Sequence, residues 1–417
     1  MWWVWFLATV PGGAAAADYR LSTNIVTRYE YTDNIFFNED GALDDHITTV
    51  SPGVALVRHA ERSTVRVDGR ADFSHYREND ELDDIDQWYN ASIDYRPSER
   101  WQFAAHGGLI DDNRADRDVE ITGLVLGSVR RRRSNIGGMA SYIFTEKTSG
   151  GLFVDFNREN YDDPDTSDRM DYSVVLFLSQ MLDNWLARTT GRLNLRYSHY
   201  KFERYYGNIA TQDIFEVTTT LDDRSDVDSL SLTAGTESVL TEKINLNWDL
   251  GARYSRSCRD LVQQRTYTPP WFSEPPLRNE TESDRYGFVG SLALNYRGER
   301  FTAGLSASHD LQPLSGRGGT ANRTRISLSG SRRFSEKLSG SASVQWYWNL
   351  SEEDAATGDE TDTQTWNARV GLRWAFNRHL ALSGDYLYTR SEDHSDGTEA
   401  YRNRFLLRLT GTYDWLE

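Results

Sequence analysis

Side chains flip face at every residue of a β-strand, so a strand with oil on one side and water on the other must alternate. The carboxyl end does so: Phe405, Leu407, Leu409, Gly411, Tyr413 and Trp415 share one face, while Arg408, Thr410, Thr412 and Asp414 share the other. Val65, Val67, Gly69, Ala71 and Phe73 alternate with Arg66, Asp68, Arg70 and Asp72. Trp366, Ala368, Val370, Leu372 and Trp374 alternate with Asn367, Arg369 and Arg373, and Tyr286, Phe288, Gly290, Leu292, Leu294 and Tyr296 form another apolar row. These rows end in aromatic residues, as two interfacial girdles around a lipid-facing band require.

Short polar turns separate the alternating segments. They recur at Ala60-Glu61, Arg96 to Trp101, Phe144 to Lys147, Leu182 to Asn184, Leu240 to Ile244, Arg297 to Phe301, Phe334 to Leu338 and Phe376 to Leu380. Intervals of roughly 40 to 55 residues hold an up-and-down hairpin plus one longer loop. Eight such turns, with a strand at each terminus, predict an all-β, antiparallel, up-and-down transmembrane β-barrel of about 18 strands, with short periplasmic turns and long acidic extracellular loops. A soluble sandwich or propeller would have no need of paired girdles.

Composition supports this reading. Mean hydropathy is -0.65 and only 38% of residues are hydrophobic, yet aromatics reach 12%, which an acidic disordered chain would not show. A barrel needs an apolar residue only at every second strand position. No apolar run beyond the leader approaches the roughly 20 residues of a membrane helix, so a membrane crossing falls to a closed sheet. Residues 1–17 read as a signal peptide, with an apolar core from Trp2 to Val10 and small residues Ala14 to Ala17 for cleavage, although no Lys or Arg precedes that core. Residues 18–417 then form a single barrel domain, and the lone Cys258 leaves no intramolecular disulfide.

The net charge of -17 is concentrated between strand pairs, at Glu39-Asp40, Asp44-Asp45, Glu78 to Asp86, Asp111 to Glu120, Asp162 to Asp165, Asp222 to Asp228, Glu352 to Asp362 and Glu392-Asp393. Two readings stand: a solvated acidic rim, or carboxylates that loosely hold Ca²⁺ or Mg²⁺, either bridging lipopolysaccharide phosphates or gathering Ca²⁺ at the mouth. No fixed metal-ligand spacing is present, and no cofactor is implied.

The inward faces lean basic. Arg66, Arg70, Arg96, Arg192, Arg196, Arg253, Arg325, Arg369, Arg373 and Arg408 are expected to line the channel, against Asp68, Asp72, Asp94, Asp155, Asp249 and Asp385. Guanidinium forks could guide an anionic solute along the pore, or pair across strands and stiffen the wall. The aromatic and proline-rich segment from Ser255 to Ser283 is either a plug or an external loop.

Enzyme signals are weak. Ser74-His75 and Ser198-His199 set serine beside histidine, but adjacent strand residues point to opposite faces, and a girdle role suits both histidines better. The run Arg130 to Arg133 suits lipopolysaccharide phosphate or the lumen; an acidic, secreted chain excludes nucleic acid as a partner.

Near the amino end, Arg28-Tyr29-Glu30-Tyr31-Thr32-Asp33-Asn34-Ile35-Phe36-Phe37 resembles the opening signature of the beta-barrel porin 2 family and the related outer-membrane barrels of exopolysaccharide operons of the PEP-CTERM type. The first strand, the mature length, the repeated Ser/Thr-Glu-Lys/Arg turns and the aromatic last strand extend the resemblance over the whole chain. It implies a porin-like channel in the cell outer membrane, associated with polysaccharide export or passage of anionic solutes. Outer-membrane lipid, lipopolysaccharide, the outer-membrane assembly machinery and a polysaccharide would be its partners. The alternatives are a non-conducting scaffold that binds a surface polymer or partner protein and, more remotely, an outer-membrane hydrolase.

Overall fold

A computed structural model describes residues 17–415 apart from 114–118, 120–121, 125–128, 184–187, 213–214, 269–271, 315, 317, 352–360 and 396. The expected leader up to residue 16, the acidic stretch 352–360, Pro269 to Trp271 and Leu416-Glu417 lie outside the described residues. The chain begins as β1 (Asp18–Thr32), β2 (Asp45–Ala60), β3 (Ser63–Tyr76), β4 (Asp84–Tyr95), β5 (Trp101–Asp112) and β6 (Arg131–Thr145). It continues as β7 (Thr148–Tyr161), β8 (Asp168–Met181), β9 (Thr189–Gln212), β10 (Phe215–Thr241), β11 (Ile244–Thr268) and the two-residue β12 (Phe272–Ser273). It ends as β13 (Leu277–Arg297), β14 (Phe301–Pro313), β15 (Thr320–Arg333), β16 (Leu338–Ser351), β17 (Thr361–Ala375), β18 (Leu380–Asp393) and β19 (Thr398–Asp414).

All pairings are antiparallel, and β1 pairs with β19 from Ser22↔Asp414 to Thr32↔Arg404. Since β12 only decorates the tip of β11, the ring is a closed barrel of eighteen strands, matching the count from the turns. The short turns and both described chain ends lie at one end, called here the turn end; the long loops lie at the other, the loop end.

The usual distribution of polarity is inverted. Exposed large side chains include Val54, Val67, Leu109, Ile136, Leu193, Leu232, Leu328, Val370 and Leu407, while Glu30, Asp72, Glu159, Arg131, Arg253 and Arg404 are buried. Only a lipid surround makes such a surface favourable, because apolar area left in water costs roughly 25 cal/mol per Å². Aromatic pairs bound the apolar band. At the turn end Trp101 lies 4.7 Å from Tyr142 and Tyr413 4.8 Å from Trp415; at the loop end Tyr172 lies 5.1 Å from His199, Tyr386 4.8 Å from Phe405 and Trp346 6.1 Å from Trp366. Trp366 and Trp374 are eight residues apart, or roughly 26 Å along an extended strand, close to the height of a bilayer's hydrocarbon band.

Two sequence expectations give way here. The segment from Ser255 to Ser283 is not a plug: where described, it is mostly paired strand, with Ser255 to Gln263 of β11 pairing with Arg285 to Leu277 of β13. The acidic stretch Asp222 to Asp228 is not a loop but part of β10, paired with β9 and β11. Aspartate is depleted in strands, so the stretch reads as loop, yet three of its four acids stand opposite a basic residue, in Asp223↔Arg204, Asp226↔Lys201 and Asp228↔Arg256. Consequently β9, β10, β11 and β13 reach 24, 27, 25 and 21 residues, and project beyond the loop-end aromatics as a four-stranded flap.

At the edge of this flap the wall parts. β13 pairs with β14 over only eight residue pairs, from Gly290↔His309 to Arg297↔Thr302, although β13 itself runs back to Leu277. Past His309 the tip of the β14–β15 hairpin leans inside the barrel, where Leu311 packs on Phe202 and Val227 of the flap's inner face.

Candidate functional site: a crossed lumen and a basic mouth

Between β5 and β6 the chain turns into the barrel. Val119 and Leu124 are 0% and 1% exposed, and three backbone carbonyls of this segment are held by the far wall. Asn367 Nδ2 donates to the Val119 oxygen at 3.2 Å, Asn349 Nδ2 to the Thr122 oxygen at 3.0 Å and Thr365 Oγ1 to the Gly123 oxygen at 2.5 Å. In the ring β6 and β16 stand nine strands apart by either route, so the segment spans the lumen from one side to the other. Gly123 is required twice over. Its φ of +74° is left-handed, and a Cβ there would lie 2.5 Å from Cβ of Tyr347, which is itself fully buried. Leu124 closes the contact against Leu314 and Ala321 at the tip of the β14–β15 hairpin.

The arginines expected to line the channel are largely braced. Arg66 pairs with Asp68 and Arg70 with Asp72, each at 2.9 Å, and Arg70 also covers the Trp88 ring. Arg192 meets Asp249 at 2.9 Å, Arg369 meets Asp385 at 3.0 Å, and Arg325 lies over the Tyr347 ring. Arg196 and Arg253 both approach Asp310, at 3.6 and 3.5 Å, and Arg253 donates to Asn322 at 2.7 Å. Arg96 stands exposed at the turn end, just past β4, rather than within the wall. Arg373 is exposed, and Arg408 sits opposite Arg28 of β1. Asp94 pairs with Thr64 and Ala104, and Asp155 accepts from Asn157 at 2.5 Å.

The most deeply buried charge contacts fall on residues that alternation alone does not single out. Glu30 meets Arg404 at 2.6 Å across the closing seam, and Glu159 lies 3.3 Å from both Arg131 and Arg169. The Arg130 to Arg133 run is thus divided: Arg131 is buried, Arg130 pairs with Asp84 and Asp111, and Arg132 is mostly exposed. Acids at the loop-end starts of strands act as internal braces. Asp45 accepts the backbone N–H groups of Arg77, Glu78 and Asn79, and Asp168 accepts that of Tyr161. Among the described residues no group of three or more His, Cys, Asp or Glu could hold a metal ion.

At the loop end, a cavity of about 790 Å³ lies between the flap and the inward-leaning hairpin. Arg204, Arg253, Arg259 and Arg285 line it together with Asp165, Asp223 and Asp393 and a set of serines. Asp223 accepts from Arg259 Nε at 2.7 Å and from Arg204 at 3.3 Å. On the flap's outer face Lys201 donates to Glu203 at 2.8 Å, which holds that carboxyl below its usual range and the ammonium above its own. The two serine-histidine neighbours do not converge: Ser198 is buried among the inward residues, while His199 packs on Tyr172 and bonds Asp228 on the outer face. Ser74 lies 3.2 Å from Thr49, and His75 pairs with Asp83 at 2.7 Å.

No protein-family model matches the sequence, and no curated protein does either. Solved barrels resemble its fold. The open form of the ferric-catecholate import receptor Fiu from E. coli K12 aligns over 94% of this chain and 81% of its own, at 7% identity and a TM-score of 0.52. The ferric citrate transporter FecA aligns over 91% of this chain, which spans 60% of FecA, at 9% identity and a TM-score of 0.47. OpdO of Pseudomonas aeruginosa aligns over 95% of this chain and 98% of its own, at 12% identity and a TM-score of 0.45. The fold is that of an outer-membrane β-barrel.

Proposed function

We propose that the chain is an outer-membrane channel with a narrowed lumen, its turn end in the periplasm and its loop end outside the cell. The observation that carries this reading is a closed barrel with a lipid-compatible exterior and a polar, arginine-bearing interior, crossed by one docked segment. An eighteen-stranded barrel is wide enough for water, and a segment docked across it would convert a wide pore into a selective or gated one. The basic inner wall favours anions as solutes, and a link to exopolysaccharide export, as in the porin 2 and PEP-CTERM-type barrels, is the finer form of the proposal. Lipopolysaccharide and the assembly machinery would be its partners in the membrane, with divalent cations bridging the acidic rim to lipopolysaccharide phosphate. The crossing segment also supports a second reading, a closed scaffold that binds a surface polymer, and conduction separates the two.

Selectivity supplies a test on one strand. Arg373 faces inward without the brace that Asp385 gives Arg369, so Arg373→Glu should shift the reversal potential toward cations while the barrel still assembles. Val370, on the opposite face and 57% exposed, is the control: Val370→Arg should cost about 2 to 4 kcal/mol near the bilayer midplane and lower assembled yield. An unshifted reversal potential in Arg373→Glu would remove electrostatics from the channel account. Orientation can be read at Cys258, which is exposed on the flap's outer face: a membrane-impermeant maleimide should label it on intact cells. Labelling only after lysis would invert the proposed topology.

A further inference from the structure

The flap sorts its charges by face. Strand pairing sets the side chains of β9, β10, β11 and β13 alternately toward the cavity and toward the outside. Over residues 201–207, 217–228, 253–268 and 277–286, the inner face carries Arg204, Arg253, Arg259, Arg265 and Arg285 against a single carboxylate, Asp223. The outer face of the same residues carries four basic side chains and eight acidic ones. A flap that merely needed solubility would mix both signs on both faces. Outside, the charges form ordinary cross-strand and near-neighbour pairs, such as Arg278 with Asp260 at 2.9 Å. Inside, the flap's one carboxylate is shared by Arg259 and Arg204, and Arg253 reaches Asp310 of the β14–β15 hairpin, so the flap's own concave wall is in positive excess while Asp165 and Asp393, from outside the flap, also line the cavity.

That wall encloses space. Ser225, Ser255, Ser257 and Ser283 sit among the arginines and offer hydroxyl donors to the cavity of about 790 Å³, a size suited to a small solute. The cavity is also reached from the side. Above Gly290 the edge of β13 has no strand beside it among the described residues, and Tyr286, which lines the cavity, is 86% exposed at this slit.

We propose that this mouth cavity is a recognition site for a multivalent oxyanion, a solute with two or more carboxylate or phosphate groups on a hydroxylated body. Guanidinium forks bind carboxylate and phosphate alike in two places, the serines donate to oxyanions and hydroxyls, and the five arginines on the flap's inner face outnumber its one carboxylate, which favours anions on that side of the cavity. The acidic outer face repels the same anions, which directs them to the slit and the cavity rather than to the flap's outside. The site deepens the channel proposal by naming its solute class, but it is tested by binding, which does not depend on conduction.

The experiment is equilibrium binding to the purified full-length barrel in detergent, with citrate as the carboxylate probe, fructose 1,6-bisphosphate as the phosphate probe and glucose as the neutral control. Saturable binding of one or both anions is expected at low salt, weakening at least tenfold at high salt, with no saturable binding of glucose. The double variant Arg204→Gln, Arg285→Gln should weaken anion binding about tenfold or more, whereas the outer-face pair Arg224→Gln, Arg278→Gln should leave it within about twofold. Heat-modifiable migration on gels verifies that each variant is folded; if the inner double variant fails this check, Ser255→Ala, Ser257→Ala takes its place, with about threefold loss expected. Preference for one probe identifies the group recognised. Glucose binding as well as the anions, equal losses from inner and outer variants, or no saturable anion binding by the folded parent would each overturn the site. A barrel that conducts but does not bind loses this site and keeps the channel; one that binds but does not conduct does the reverse.

Discussion

Replacing Gly123 with valine is expected to free the segment that crosses the lumen and to raise solute flux through the barrel. A β-branched residue at φ +74° costs about 1 to 3 kcal/mol in backbone strain. The new Cβ also collides with Tyr347, a side chain held in the wall by β15 and β17 and over whose ring Arg325 lies. Overpacking of this kind costs about 1 to 3 kcal/mol more. Against these stand three hydrogen bonds from Asn349, Thr365 and Asn367, worth about 0.5 to 1.5 kcal/mol each, and the burial of Leu124. The opposing terms are of similar size, so undocking rather than barrel unfolding is the outcome, since the segment contributes no strand to the ring. Liposome swelling with a small sugar should quicken by about twofold or more, because an eighteen-stranded barrel without its crossing segment is a wide aqueous pore. Unchanged swelling in a normally assembled Gly123→Val barrel would mean that the segment does not limit passage.

The largest stability effect is expected at the closing seam. Glu30 on β1 receives Arg404 of β19 at 2.6 Å and Arg28 at 3.5 Å, with all three side chains nearly or fully buried. Glu30→Ala removes the carboxylate that both guanidiniums share, and breaking a buried pair in this way costs about 3 to 5 kcal/mol. The urea midpoint of the folded barrel should fall, and the unboiled, fast-migrating gel species should diminish. Glu30→Gln, which keeps a hydrogen-bond acceptor, should fall less. The last residues of the seam add to it from outside: Trp415 donates its backbone N–H to the Leu21 oxygen and its indole N–H to Thr23. A midpoint equal to that of the parent would show that closure rests on the backbone ladder alone.

The wall was legible in the sequence because a barrel strand reports its facing locally. Val65 to Phe73, Trp366 to Trp374 and Phe405 to Trp415 each state in isolation which side meets lipid, and the short turns state where the chain reverses. The crossing segment was not legible, because its partners Asn349, Thr365 and Asn367 lie more than two hundred residues away and periodicity carries no record of contact across a lumen. One signal was available. Ile121-Thr122-Gly123-Leu124-Val125-Leu126 is an apolar run in a link otherwise rich in Asp and Arg, and such a run in a loop calls for a buried place. The flap was hidden for the opposite reason. Asp222 to Asp228 and Ser255 to Arg265 carry polar residues on both faces, so they read as loops, and only their pairing within the flap shows them to be strand. The arginine pairings were partly legible: Arg66 with Asp68 and Arg70 with Asp72 follow from one strand, whereas Arg253 with Asp310 needs the inward lean of the β14–β15 hairpin.

The central claim, a conducting barrel narrowed by a docked segment, is tested most directly by current through single purified barrels in a planar bilayer under a KCl gradient. The parent should give small, resolvable steps with a reversal potential favouring chloride, as a basic wall requires, and Gly123→Val should give larger ones. If parent and Gly123→Val both insert as folded, heat-modifiable barrels and neither passes current, the channel account is contradicted and the closed scaffold takes its place.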